Sequence, residues 1–236
     1  MIDPEQLRRD GWDFIRSYDG FQEDVRAFED DVHLLVLGTF DAAEQHWSRR
    51  LREELPKLET AIKSAHGEYA DHLVDQHTDE LARYSEQSRF ALNSAVVSLV
   101  TLFVDDLRRM FRRLEMVVPR CSGRYPGKHE IARLRSEAVE RFGIDADECK
   151  AKLAFTEPMI LARNLIVHNG GEADQEAPDG SKDQEFRNRY PDWVDHYDRV
   201  AVPEQAVRVQ VQAAVDFLRW IAPLLRSIEL QRRPLI

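Results

Sequence analysis

The amino-acid sequence predicts an all-α protein, a helical bundle, and three observations carry that expectation. Apolar residues recur at helical intervals almost from one end of the chain to the other. Glycines and prolines cut the pattern into segments of helix length. Four segments of the second half are apolar enough to close one core between them, and a composition of 43% hydrophobic and 32% charged residues over 236 positions suits a globular protein.

The elements follow in order. Pro4 stands where a first helical turn tolerates it, and Leu7, Trp12, Phe14, Ile15 and Tyr18 give an apolar face that ends at Asp19-Gly20. A second helix is expected from about Phe21 to Leu37, on Val25, Phe28, Val32, Leu35 and Val36, with Gly38 ending it. Asp41 then caps a third helix through Trp47, Leu51 and Leu55, which Pro56 must kink or stop. From Leu58 a long polar segment, sparsely apolar at Ile62, Tyr69, Leu73, Leu81 and Tyr84, runs without Gly or Pro after Gly67 into an apolar helix at 89–117. So thin an apolar stripe fits a segment that projects and meets a partner helix.

In 89–117, Phe90, Val96, Val97, Leu99, Val100, Phe103, Val104, Leu107, Met110, Phe111 and Leu114 surround much of the helix, as in a central bundle member. Residues 119–127 form a loop, and His129 to Phe142 a shorter amphipathic helix closed by Gly143. Asp147 or Thr156 starts the next helix, in whose first turn Pro158 is tolerated. A polar stretch of about thirty residues, 170–202, is long enough to be functional or mobile, while its Phe186, Tyr190, Trp193 and Tyr197 indicate that part of it packs. Pro203 opens a final helix on Val207, Val211, Val215, Phe217, Leu218, Trp220, Ile221, Leu224, Leu225 and Ile228. The expected organisation is an N-terminal helical region over 1–88, projecting or partner-binding, and a bundle over 89–236.

Composition excludes several classes. Cys121 and Cys149 alone provide neither a disulfide framework nor a thiolate metal site, and the start Met-Ile-Asp-Pro-Glu lacks a basic region followed by an apolar run, so a cytoplasmic protein is expected. The run from Ala91 to Val104 is too short to span a bilayer and is interrupted by Asn93, Ser94, Ser98 and Thr101, so no membrane partner is expected. His66, His72 and His77 are spaced by six and five residues, turning their side chains by about 240° and 140° on a helix, so they do not converge on one metal ion. Neither metal nor cofactor is expected.

A net charge of −10 argues against a surface that grips nucleic acid throughout. Residues 105–141 differ, with 10 basic and 6 acidic groups, led by Arg108, Arg109, Arg112 and Arg113. That strip suits a phosphate backbone, and equally suits the solvated face of a helix with interleaved acids.

Residue order becomes informative at Arg163-Asn164-Leu165-Ile166-Val167-His168-Asn169-Gly170-Gly171. The gap between Arg163 and His168 means little alone, since roughly one such pair is expected by chance, and Arg124 with His129 repeats it while Arg189 and His196 stand at a six-residue gap. The surroundings distinguish the copy at 163: a polar residue after the Arg, three apolar residues that keep the segment helical, and an Asn-Gly-Gly stop. At about 100° per residue, Asn164 and His168 lie one turn apart on neighbouring positions, where Asn164 can orient the imidazole, while Arg163 stands off that face.

With this motif near the end of the penultimate helix of a bundle, residues 89–230 resemble the HEPN superfamily, whose motif is an Arg, a polar residue, a few intervening residues and a His. The resemblance implies a four-helix core and a dimeric, metal-independent endoribonuclease of a toxin–antitoxin, phage-defence or RNA-processing system, with RNA as substrate and an antitoxin or defence protein as a possible partner. It implies Arg163, Asn164 and His168 as the catalytic residues. Other members of that superfamily have lost catalysis and serve as binding modules, the alternative reading for this chain. An unrelated helical assembly protein, with His168-Asn-Gly-Gly as a plain helix cap and Arg163 paired with a surface acid, remains the third.

Overall fold

The computed structural model describes residues 19–115, 118, 125–127, 129–173 and 181–232, and these form an all-α fold. The helices are α1 (Gly20–Asp31), α2 (Thr39–Ser64), α3 (Glu68–Arg113), α4 (Glu130–Phe142), α5 (Ala146–Lys152), α6 (Thr156–His168), α7 (Lys182–Arg189) and α8 (Glu204–Arg232), with a π-helical segment at Val32–Gly38 and a 3-10 turn at Pro191–Trp193. Among the described residues extended pairing is limited to two isolated bridges, Glu172 with Arg199 and Val194 with Val200. The helix expected before Asp19 and most of the loop at 119–127, including Cys121, lie outside the described residues.

The chain divides into two compact units, one of 1–31, 101–156 and 211–236, the other of 32–100 and 157–210. The first is organised around aromatic rings. Phe103 of α3 makes edge-to-face contacts with Phe28, Phe155 and Phe217 at centroid distances of 6.3, 5.4 and 5.6 Å, and Phe111 meets Phe142 at 4.9 Å. Leu107, Met110, Leu114, Leu218 and Ile221, all at most 1% exposed, fill the space around them. His129 caps α4 by accepting from the Ala132 amide, and Gly143, at φ 71°, closes it as expected. Buried charges are built in at Asp24, Asp106, Arg141 and Glu229; Asp24, 5% exposed, receives two bonds from the Arg113 guanidinium at 2.8 and 3.0 Å.

The second unit contains an antiparallel hairpin. α2 and the first half of α3 are joined at Ala65-His66-Gly67, with Gly67 at φ 62°, and are cross-tied by Tyr84 to Glu44, Arg50 to Glu80 and His77 to Glu59. The sparse stripe expected from Leu58 onward is thus divided by this turn, Ile62 lying in α2 and Tyr69, Leu73, Leu81 and Tyr84 in α3, and the two parts belong to helices that pair with each other.

Several expected boundaries moved. Gly38 does not end a helix; the π-helical segment carries the chain from α1 into α2. Because a π turn holds an extra residue, it rotates the apolar face, so Val32 and Val36 are buried while Leu34 and Leu35 are 69% and 48% exposed. Pro56 neither stops nor borders α2 but lies inside it. The polar segment after Gly67 and the apolar helix are one element of 46 residues, so the expected division at 88/89 falls inside α3. Phe90, expected in the core, is 67% exposed. The run expected to be too short for a bilayer belongs to this longer helix, which by length and composition is long and apolar enough to cross a membrane; its most apolar 18 residues have mean hydropathy 1.6 and are 44% buried inside the protein. Val96, Leu99, Phe103 and Leu107, at most 2% exposed, give it the profile of a core helix.

Candidate functional site

The motif occupies the last turns of α6. Met159, Ala162 and Leu165, at most 2% exposed, bury one face of this helix. That leaves Arg163 and Asn164 half-buried at its border and His168 exposed as the final helical residue. Five residues of helix separate Arg163 from His168 by about 7.5 Å along the axis.

The helix ends because two glycines follow Asn169. Gly170 and Gly171 take φ 65° and 87°, a conformation that costs a side chain energy, and the chain doubles back until the Gly171 amide donates to the Leu165 carbonyl at 3.0 Å. Asn169 donates through Nδ2 to both carboxylate oxygens of Asp183 in the first turn of α7, at 3.1 and 3.2 Å. The next residues are fastened by amide bonds of Ala173 to the Asp198 carbonyl and of Val200 to the Gly171 carbonyl, both 2.7 Å. Asn93 of α3 donates to the Val200 carbonyl at 3.2 Å, and Arg187 of α7 bonds both the Ala173 carbonyl and Asp198. Phe186, fully buried, packs with Tyr190 and Trp193 beneath this network. The stretch at 170–202 is thus, over its described part, an ordered platform that holds the end of α6.

On this platform the motif side chains are little engaged. Arg163 Nη1 donates to Asn164 Oδ1 at 3.3 Å, and among the described residues no carboxylate pairs with Arg163. Asn164 therefore contacts Arg163 and not His168; the expectation that it orients the imidazole fails, because the long guanidinium side chain reaches back over its neighbour. The His168 imidazole makes no hydrogen bond to any described residue. A guanidinium without a carboxylate partner among the described residues offers a place for an anion, and the solvent-facing imidazole on the same helix, about 7.5 Å further along the axis, a proton donor or acceptor.

Arg108, Arg109, Arg112 and Arg113 lie in the other compact unit. Arg108 pairs with Asp105 and Glu130, Arg109 with Asp106, and Arg113 with buried Asp24, while Arg112 is exposed and without a described partner. Three of the four are paired with acids, two of which, Asp24 and Asp106, are buried. Among the described residues no group of three or more His, Cys, Asp or Glu is placed to hold a metal ion.

Three residues that sequence reasoning passed over support the motif: Asn93, Asp183 and Arg187. Each is distant in the chain, and only Asp183, at the start of an acid-rich turn, carried a local signal, that of a helix N-terminus. Fold and site together define an all-α protein with an Arg-Asn-His cluster at a capped helix end. No protein-family model, no curated protein and no solved structure matches this chain.

Proposed function

We propose that this chain is a metal-independent endoribonuclease, acting as a dimer in the cytoplasm as a toxin or phage-defence effector. The observation that carries the reading is that Arg163 has no carboxylate partner among the described residues while His168, five residues further along the same helix, is exposed at an end held by its surroundings. A structural arginine at a half-buried position is ordinarily paired, and leaving it unpaired costs energy that an incoming phosphate would return.

The reaction is attack of the ribose 2′-oxygen on the adjacent phosphorus. The bond to the 5′-oxygen breaks, leaving a 2′,3′-cyclic phosphate and a free 5′-hydroxyl. His168 takes the proton from the 2′-hydroxyl or supplies one to the departing 5′-oxygen, since imidazole alone among side chains titrates near neutrality when unperturbed. Arg163, with Asn164 bonded to it, stabilises charge growing on the non-bridging oxygens. About 7.5 Å of helix lies between Arg163 and His168, so a second copy related by a two-fold axis brings two of each around one phosphate. DNA lacks the 2′-hydroxyl and is not cut.

The test is incubation of mixed RNA with the protein in EDTA beside His168→Ala and Arg163→Ala, reading cyclic-phosphate ends. Wild type should produce them, and each variant should lose about a hundredfold or more. RNA left equally intact by all three ends the nuclease reading. The second reading, a non-catalytic partner-binding module, is favoured by the −10 net charge and by the exposure of Phe90, Val167 and Tyr197 at 67%, 46% and 66%.

A further inference from the structure

Within the second unit, one face of α3 opposes residues 195 and 201–203 across a cavity of about 340 Å³, at the small end of the range that holds organic ligands. The face is formed by Tyr84, Ser85, Ser88, Arg89 and Leu92, positions one turn apart that a packed helix would fill with large apolar side chains. Ser85 and Ser88 leave the space open, and their hydroxyls have no partner among the described residues. Val202 and Pro203 supply an apolar wall.

The charges in the cavity are unequal. Asp195 is satisfied by the Tyr197 and Arg199 amides at 2.9 and 3.0 Å and by the Arg199 guanidinium at 3.0 Å. Arg89 is not satisfied: its Nε is buried without a partner, and its one described carboxylate neighbour, the exposed Glu86, is 3.8 Å away. Tyr84 donates its hydroxyl to Glu44 at 2.7 Å, which fixes the ring and leaves its face for stacking. Arg89 also borders the motif, since a methyl group on Gly171 would stand 3.7 Å from its Nη1. One turn on, Asn93 Oδ1 is likewise buried without a partner.

We infer that this cavity binds a nucleotide, with the phosphate on Arg89 and the seryl hydroxyls and the base against Tyr84 and the Leu92, Val202 and Pro203 wall. Resting on the nuclease reading, that nucleotide is a residue of the RNA substrate, since Arg89 borders both the cavity and Gly171 of the α6 cap. The ligand that fits has one anionic end and one planar apolar end. Inorganic phosphate or adenosine alone uses only half of the cavity and binds more weakly than AMP.

The experiment titrates the full chain with AMP, adenosine and inorganic phosphate by calorimetry, then repeats it for Arg89→Gln, Tyr84→Leu and the cavity-filling Ser88→Leu. AMP should bind best, Arg89→Gln and Tyr84→Leu should each lose about tenfold, and Ser88→Leu should abolish binding while thermal unfolding stays cooperative. If Ser88→Leu does not fold, the other two variants decide. Absence of AMP binding, or binding indifferent to all three substitutions, overturns the inference. Arg89-dependent AMP binding by a protein that cuts no RNA upholds the cavity and sinks the nuclease reading. RNA cleavage with KM unchanged in Arg89→Gln and Tyr84→Leu does the reverse.

Discussion

Single charged residues divide here into those that hold the fold and those with a weak counter-charge or none among the described residues. Asp24 and Arg113 belong to the first group. Removing the guanidinium in Arg113→Ala strands a carboxylate that is 5% exposed, and because Arg113 keeps part of its surface in water the expected loss is about 2 kcal/mol, below the full cost of an orphaned buried charge. Urea unfolding checks it, and an unchanged midpoint would show that Asp24 finds water or another donor. Asp195 gives a pH-dependent counterpart. Burial pushes its carboxyl up, but the bonds from Arg199 and Tyr197 outweigh that and hold it below its ordinary 3.8. A depressed carboxylate stabilises the fold above its ordinary value, and that stabilisation is lost as pH falls through the lower folded value. Asp195→Asn should therefore be less stable at neutral pH by about 1 kcal/mol, with the gap to wild type closing below pH 4. A gap that stays constant down to acid would mean the carboxylate charge contributes nothing. Arg163 and Arg89 belong to the second group, and the functional reading rests on that difference.

At the scale of elements, the end of α6 is the critical piece. Gly170 has open space around it but φ 65°, so Gly170→Ala meets no clash and only backbone strain, expected at about 1 kcal/mol. Gly170→Asn should lose less, because Asn tolerates the left-handed conformation; equal losses would point to a role other than conformation. Helices were legible in sequence wherever their periodic face meets a core, as in α4, with His129 before it and Gly143 after it, and α8 after Pro203. Their boundaries were not legible where local breakers were overruled. Gly38 read as a stop and Pro56 as a kink or stop, yet the π-helical segment carries the chain past the first and α2 continues through the second; at Gly38 the packing of Val32, Val36 and Phe40 at 0–4% exposure outweighs a local cost of about 1 kcal/mol. The short α7 escaped notice for the opposite reason: it has one buried apolar residue, Phe186, and so no period to read.

For the whole molecule, the proposed site requires two copies, and this is testable without a structure of the dimer. Cleavage per mole of protein should fall on dilution once copies separate. Mixing His168→Ala with Arg163→Ala should restore part of the activity, since about half of the dimers then combine one intact Arg163 with one intact His168. No recovery on mixing, with activity independent of dilution, would mean that each chain works alone. The division into two units also bears on the basic strip: 105–115 and the motif helix from Glu157 onward fall in different units, and the strip's arginines are largely spent on acids within their own.

By itself the sequence determined the all-α class, the helix that ends at His168, and the candidates Arg163, Asn164 and His168, because hydrophobic period and glycine stops are local properties that residue order records. Tertiary structure alone decided that Asn164 bonds Arg163 rather than His168, that Asn93, Asp183 and Arg187 hold the motif's end, and that Ser85, Ser88 and Arg89 open onto a cavity. The last two depend on segments tens of residues apart meeting in space, and the first on side-chain geometry within one helix, which residue order does not record.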